Sequence, residues 1–537
     1  DIHGENSFKS KSYASAAFTL EKLATEVSTM ARSSISGLRG VGSSVAGKVI
    51  ELLDTGSLAA LHELIAQTPP GVLQMMAIKG LGPKKIHTLW KELHIDTIEE
   101  LTEACQEGRI AATKGFGEKT QEKILEAIHF NRQNAGKFLY AQAEPFAFAL
   151  TEKLQAAFPS ATVALTGSFR RQCEVIDELE WVASITTAEA ESFFANGSVT
   201  PVSSSPTQVE YQTGDGLLLR LHLCSPADFG TSLFRTTASP EFLQAWTAAG
   251  HKAMGASEDA IFTSAGLPVI PAAQRETAAI IGRAATTGLP HPIQESDIRG
   301  LIHSHSTWSD GAYSLADMAR ELIARGFEYL VISDHSKAAY YANGLDETRI
   351  RQQHAEIDEL NTTLAPFRIF KSIECDILSD GTMDYSNEVL ASFDLVIASI
   401  HSNLDMPEEK AMMRLLGAIN NPYVTIMGHL TGRLLTRRRG YPVDHKAIID
   451  ACAERGIVIE INASPNRLDM DWRWIDYALE KGLLLSINPD AHSYDDFHNL
   501  KYGVAVAQKG GLTKERNLSS FSLSEFEDFL KKRKERQ

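Results

Sequence analysis

The 537-residue chain has no apolar run approaching the roughly 20 residues a membrane-crossing helix needs, and no basic-then-apolar leader. No membrane partner is expected. Cysteine is scarce: Cys105, Cys173, Cys224, Cys375 and Cys452 are scattered, odd in number and without a CxxC pair. That pattern argues against a disulfide frame or zinc ribbon and predicts a reducing, cytoplasmic setting. Net positive charge is also missing. The balance is −16, which taken whole argues against a nucleic-acid partner. Its distribution reverses that reading. Residues 1–140 sum to zero, residues 141–300 to −8 and residues 301–537 to −8, so the first segment can meet phosphates while acids collect further on. The opening residues read as the interior of a helix, as in a chain trimmed at its N-terminus. With roughly 100–200 residues per domain, this length predicts three to five units.

One pattern recurs in the neutral segment. "LRGVGSSVAGKVIELL" carries Gly40 and Gly42, "AIKGLGPKKIHTLW" carries Gly80 and Gly82, and "ATKGFGEKTQEKILEAI" carries Gly115 and Gly117. Each Gly-x-Gly turn precedes an amphipathic helix bearing Lys48, Lys84 and Lys85, or Lys119 and Lys123. Glycine lets foreign backbone come close, and a helix N-terminus offers free N–H groups. The pattern resembles the helix-hairpin-helix, which grips the DNA backbone without reading bases.

Between residues 140 and 240, strand and helix patterns alternate. "LTGSFRRQCEVIDELEWVAS" brings a Gly-Ser turn with Ser168, Arg170 and Arg171, then Glu174, Asp177, Glu178 and Glu180. With "HGENSFKSKSYASAA" at the start and "SEDAIFTSAGLPVIPAAQRE" at 257–276, the first 290 residues resemble a bacterial family X DNA polymerase. The resemblance implies a palm in which an Asp-x-Asp pair and a third Asp hold two magnesium ions for in-line attack on phosphorus. Here Glu178 and Glu180 occupy the pair, and Arg220 of "LLLRLHL" the third position. A guanidinium has no lone pair to give, so Arg220 is expected to pair with Glu178 or Glu180 in the metal's place. The implied nucleotide segment is also broken, reading "TTASPEFLQAW". The polymerase site is read as degenerate, its activity lost.

From Arg299 the rhythm becomes strand, loop, helix, in seven apolar runs: "RGLIHSHS", "EYLVISDHS", "FRIFKSIECDIL", "FDLVIASIHS", "YVTIMGHL", "GIVIEINAS" and "LLLSINPDAHS". Such alternation implies a parallel sheet or barrel, whose C-terminal strand ends converge on one face. Those ends carry His303, His305 and Asp310; Asp334 and His335; Glu374; His401; His429; Glu460 and Asn462; Asp490 and His492. So many titratable groups in one cup without a cation would leave buried charge unpaired. The runs resemble the polymerase and histidinol phosphatase (PHP) domain. That resemblance implies three divalent ions held by His303, His305, Asp310, His335, Glu374, His401, His429, Asp490 and His492. Mixed imidazole and carboxylate donors suit Mn²⁺, Zn²⁺ or Fe²⁺. Close-set ions acidify a shared water and clamp phosphate oxygens. Glu374 is taken as the bridging group, with Asp310 beside it among the catalytic residues. Arg433 of "HLTGRLLTRRRGY" is the leading cation for the phosphate, with Arg437, Arg438, Arg439 and Lys337 as further candidates.

The predicted architecture is multidomain: a helical helix-hairpin-helix region, an α+β nucleotidyltransferase-like palm and thumb, and a distorted (β/α)7 barrel. The boundaries are 1–65 and 66–138 for the two helical domains, 139–240 for the palm, 241–290 for the thumb and 296–537 for the PHP domain. A turn-rich linker near 282–295 is expected to let the halves move. The expected function is metal-dependent hydrolysis of DNA, as a 3′-to-5′ exonuclease or 3′-end cleaner acting as a monomer on gapped DNA or a 3′ end. The alternatives are a gap-filling polymerase, a histidinol-phosphate-like phosphatase and a non-catalytic scaffold for DNA ends.

Overall fold

The computed structural model describes residues 1–4, 7–21, 23, 25–78, 80–195 and 197–536, so Glu5 and Asn6 of the opening stretch and Lys79 of the second turn lie outside it. The chain divides into two compact units, Asp1–Ala135 and Gly136–Gln537. A turn closed by the Gly4 N–H to the Asp1 carbonyl at 2.9 Å comes before the first described helical stretch, Ser7–Glu21, so the described chain opens on a turn and not inside a helix.

The first unit is all helical. Its three glycine turns lead into α1 (Ser43–Thr55), α2 (Pro83–His87) and α3 (Glu118–Asn134). The apolar residue between each pair of glycines, Val41, Leu81 or Phe116, is buried and pins its turn to the core.

In the second unit, α4 (Tyr140–Ala157) precedes a five-stranded sheet of β1 (Val163–Thr166), β2 (Glu178–Ala183), β3 (Thr200–Ser205), β4 (Gln208–Gln212) and β5 (Leu218–Leu223). Their spatial order is β1-β2-β5-β4-β3. The parallel β2–β5 pairing sets Glu180 opposite Arg220. Helices α5 (Phe229–Thr237), α6 (Pro240–Ala248) and α7 (Ala279–Thr286) follow, around a core of Phe234, Phe242, Trp246, Ile261 and Phe262.

The remaining chain forms a nearly closed barrel of seven parallel strands: β6 (Gly300–Ser304), β7 (Tyr329–Ile332), β8 (Arg368–Asp376), β9 (Leu395–Ser399), β10 (Val424–Met427), β11 (Val458–Asn462) and β12 (Leu485–Asn488). Spatial and sequence order coincide, and a Ser304–Ala491 bridge brings the last strand's end back to the first. Side-chain N-caps start the outer helices where the βα loops end. Ser314 caps α8 (Leu315–Ala324), Asp346 caps α9 (Glu347–Leu364) and Asp444 caps α10 (His445–Arg455). Inward-facing Ile302, Val331, Phe370, Leu395, Ile397, Ile426 and Val458 fill the lower barrel, which α12 (Leu523–Lys534) closes with Phe526 and Leu530. The strand alternation therefore places apolar residues low and polar residues at the upper rim.

Polar contacts tie the palm-like and thumb-like parts to the barrel through α11 (Leu500–Lys509). Lys501 and Tyr502 reach Glu144 of α4 at 2.6 and 2.8 Å. Arg283 of α7 pairs with Asp476 at 2.5 Å, and the Ile293 N–H donates to the Leu512 carbonyl at 2.9 Å. The stretch expected to be a mobile linker is thus helical up to Thr286 and hydrogen-bonded beyond it. Its glycine and threonine content signalled turns but not the partners those turns find.

Candidate functional site

The cup sits where strand parity delivers polar groups to the rim. Glu374 lies four residues beyond inward-facing Phe370 on β8, His335 four beyond Val331, and His401 four beyond Ile397. His303 breaks this rule, because it neighbours inward-facing Ile302. A register shift between Ile302 and Ser304 and a φ of 64° turn it inward. Asp490 likewise has a φ of 54°. Left-handed backbone at residues other than glycine costs energy and clusters where function holds it.

Eight of the nine proposed ligands fall into three overlapping groups whose donor atoms lie within 4.8 Å of one another: His305, Asp310, His335 and His492; His303, His305, Glu374 and Asp490; His335, Glu374 and His401. Each pair of groups shares a residue, and Glu374 belongs to two. The ninth, His429, stands with Nε2 2.8 Å from Glu374 Oε1. Around the same carboxylate, His401 lies at 3.1 Å, His303 at 3.3 Å and His335 at 3.0 Å. Although His303 Nε2 and His335 Nδ1 come within 3.3 and 3.0 Å of Glu374, none of His303 Nε2, His335 Nδ1, His305 Nδ1, His429 Nδ1 and Glu374 Oε2, all buried, makes a hydrogen bond of good geometry. Buried polar atoms ordinarily find partners. Orphaned imidazole and carboxylate atoms around one space fit divalent cations.

A supporting layer orients these groups. His303 Nδ1 faces Glu460 Oε2 at 2.6 Å, and His401 Nδ1 faces Asp376 Oδ1 at 2.6 Å. Glu460 also accepts from the His429 backbone, Asn462 and Asn488 at 3.0, 2.9 and 2.8 Å. Asp334 accepts from Ser306 and Gln353. Such carboxylate–imidazole pairs fix tautomer and ring direction. Asp376 and Asn488 escaped sequence reasoning, although each lies two residues from a proposed ligand.

The electrostatics follow. Burial alone would raise the Glu374 carboxyl, but His401, His303 and His335 hold it well below the ordinary range. Burial, with His492 and His335, pushes His305 down to about 3. His401 rises to about 10 against its burial, through Glu374 and Asp376. A cation binding here would displace protons from raised imidazoles such as His401.

Three of the proposed phosphate cations already have partners within the fold. Arg433 donates to the Arg467 and Leu468 carbonyls and pairs with Asp471 at 2.6 Å, committing it to the 467–471 loop. Lys337 pairs with Glu347 at 2.6 Å, and Arg438 donates to the Gly432 carbonyl at 2.8 Å. Sequence reasoning missed Arg467. Its guanidinium lies 3.8 Å from Asp490 Oδ2 at the cup's edge. It sits 38 residues beyond His429, so spacing did not signal it.

The palm-like site is closed by its own cations. Arg220 Nη1 lies 2.8 Å from Glu178 and 3.8 Å from Glu180, while Nε donates to Glu210 at 2.8 Å. His222 Nε2 faces Glu180 at 2.8 Å. Glu180 fills the space over Gly167, where an added β-carbon would overlap its carboxylate. Burial and Glu180 raise the Glu178 carboxyl, with Arg220 opposing. Ser168 Oγ is buried without a hydrogen bond. Arg170 forks onto Glu258 at 2.9 and 2.6 Å, and Arg171 pairs with Glu276 at 3.0 Å.

At the glycine turns, Gly42 and Gly82 each have a φ of −72°, which any residue adopts, and an added β-carbon would meet nothing within 4 Å. Neither strain nor packing among the described residues requires glycine there, and both positions are open to close approach by another backbone. Lys84 and Lys119 are exposed and Lys48 is half-buried, while Lys85 donates to the Gly80 carbonyl at 3.3 Å.

Among the described residues no helix is long and apolar enough to cross a membrane. A helix-hairpin-helix domain profile matches residues 1–58, and a SAM-like helix-hairpin-helix tandem profile matches residues 72–129. The DNA polymerase/3′-5′ exonuclease PolX of Bacillus subtilis (strain 168) is 34% identical over 99% of this chain and 97% of its own length. Probable phosphatases of Thermoanaerobacter sp. (strain X514) and Edwardsiella ictaluri (strain 93-146) are 27% and 28% identical, each over 43% of this chain and 94% of its own length. The chain belongs to the PolX family, the bacterial family X polymerases that carry a C-terminal PHP domain.

Proposed function

We propose that this chain is a metal-dependent phosphodiesterase acting on DNA from the 3′ end, and that its polymerase-type site no longer adds nucleotides. The observation that carries the reading is the contrast between two acid clusters in one unit. The palm-like acids already have Arg220 and His222 among them, whereas the cup keeps buried donor atoms without hydrogen bonds. The B. subtilis relative carries both activities in its name, and the phosphatases support hydrolysis at the barrel.

In this reading His303, His305, Asp310, His335, Glu374, His401, His429, Asp490 and His492 hold up to three divalent ions, with Glu374 shared between positions. Divalent ions held there supply Lewis-acid charge for a phosphoryl oxygen and acidify an attacking water. Glu460 and Asp376 keep His303 and His401 in one orientation, and burial excludes competing solvent. Arg467 takes the outer phosphate oxygens at the mouth, and Arg433 acts as a positioning residue by holding the loop beneath it. Gly40, Gly42, Gly80, Gly82, Gly115 and Gly117, with Lys48, Lys84, Lys85 and Lys119, bind the DNA backbone.

The test is one incubation with 3′-labelled and 5′-labelled primer–template in Mn²⁺, with and without dNTPs. Shortening without extension supports the reading. Extension overturns the silent palm, release of phosphate from histidinol phosphate alone points to a small-molecule enzyme, and inertness towards all of them points to a scaffold.

A further inference from the structure

Two exposed tyrosines stand on the loop that follows His335 at the rim of the cup. Tyr340 is 85% exposed, more than any other large apolar side chain among the described residues, and Tyr341 is 60% exposed. Their rings meet edge to face at 5.9 Å. Exposed aromatics on a loose loop would mean little. This loop is tightly built. It starts at His335, three residues past the end of β7, where the His335 carbonyl accepts the Leu345 N–H at 2.9 Å and the Ser336 carbonyl accepts from Ala339 at 3.0 Å. Ala339 and Ala342, on either side of the tyrosines, are buried. An added β-carbon at Gly344 would overlap the Ser336 carbonyl, so the loop's return is packed against its start.

The loop is also tied across the cup. Asn343 donates to the Trp308 and Ser309 carbonyls at 3.3 Å, and Arg349 binds both the Asn343 and Trp308 carbonyls. Segment 308–309 leads directly into Asp310. The loop that carries the two rings is therefore anchored beside two proposed metal ligands, His335 and Asp310. Partial burial, then Asp376, Glu374 and Asp310, push the Tyr341 phenol up to about 12, with Arg467 opposing. Its hydroxyl lies in the field of the cup itself.

A rigid, solvent-facing aromatic pair beside a phosphate-cleaving site, with a guanidinium at the same mouth, matches the parts list for holding single-stranded nucleic acid. Aromatic faces stack bases without regard to sequence while cations hold the backbone. We propose that Tyr340 and Tyr341 form a stacking platform for the terminal nucleobase of a single-stranded DNA end whose scissile phosphate lies in the cup. The inference rests on the phosphodiesterase reading above and adds a specificity-determining pair to it.

The test compares two 3′-labelled oligonucleotides, identical except that one ends in an abasic residue, using the Mn²⁺-loaded full chain. Wild type should cleave the base-bearing end about 10-fold more efficiently, and Tyr340→Ala/Tyr341→Ala should lose that advantage, mainly through KM. On the abasic end, variant and wild type should converge, and Tyr340→Phe/Tyr341→Phe should restore the preference, because stacking needs the ring and not the hydroxyl. Equal losses of the double alanine variant on both ends, or a preference that survives it, would overturn the platform while leaving the phosphodiesterase reading intact. A wild type inert on both oligonucleotides would remove that reading, and the platform with it.

Discussion

The palm-like sheet and the barrel rim answer the same problem in opposite ways. Each gathers carboxylates too close to coexist in water-poor surroundings. In the sheet, Glu178, Glu180 and Glu210 surround the covalently attached cation of Arg220, with His222 beside Glu180. In the barrel, Glu374 and Asp490 meet imidazoles, which can give up their protons and turn their lone pairs to an incoming ion. A tethered guanidinium neutralises permanently, whereas a histidine shell neutralises exchangeably. Only the second arrangement can exchange its protons for a divalent ion.

The sharpest way to break this comparison is to damage the cup alone. His335→Ala or Asp490→Ala should lower DNA hydrolysis about 100-fold or more, as should a chelator, with DNA affinity in a band-shift assay staying within about twofold. Loss of both properties together would show that the cup holds the structure rather than the reaction.

A third carboxylate site provides a control for the permanent kind. Glu276 receives Arg171 at 3.0 Å and Lys509 at 2.8 Å, and the Lys509 side chain is fully buried. Lys509→Met should destabilise the 136–537 unit by about 3–5 kcal/mol in thermal unfolding, because a buried carboxylate loses its counter-charge. Burial would raise Glu276, yet Lys509 and Arg171 hold it at about 2, against an ordinary 4.5. A depressed carboxylate stabilises above its unfolded pKa and loses that contribution as pH falls through the folded value. The contribution, about 3 kcal/mol, should thus be whole above about pH 4.5 and fade towards pH 2. Acid unfolding curves of wild type and Lys509→Met that run parallel through this window would contradict the assignment. Chelator should leave the difference between them unchanged.

Arg220→Ala should have a smaller effect, a loss of about 2 kcal/mol in denaturant unfolding, as three carboxylates face one another without their shared cation. Neither wild type nor this variant is expected to add nucleotides to a primer–template. Extension by this variant would mean that Arg220 alone had silenced the palm. The smallest effect belongs to the helical unit. Replacing Lys84 and Lys85 by Ala should weaken DNA binding modestly and reduce the slope of log affinity against log salt by about one per lost phosphate contact. An unchanged slope would remove these lysines from the DNA-binding face.

Much of this was legible in one dimension because it rests on short-range rules. Glycine turns announce themselves by spacing, and strand ends in a parallel barrel share a face, so histidines far apart in sequence could be placed together before any coordinates. Arg220 could be excluded as a metal ligand from its chemistry alone. Where the reading fell short, the partner was distant. Arg433 reads in sequence as a phosphate cation because it follows His429 by four residues; its donors go to the 467–471 loop, whose Arg467 lies beside Asp490. The supposed linker found Asp476 and Leu512, both about 200 residues away.

Residue identity and spacing determined the family, the barrel and the chemistry each cluster can support, because donor type and strand period are local properties. The tertiary structure alone decided which way His303 turns, which arginine faces the cup, that Tyr340 and Tyr341 stand on its rim, and that Arg171 serves Glu276. Those outcomes depend on a register shift, on loop closure and on burial against elements hundreds of residues away, none of which has a signature within the segment it acts on.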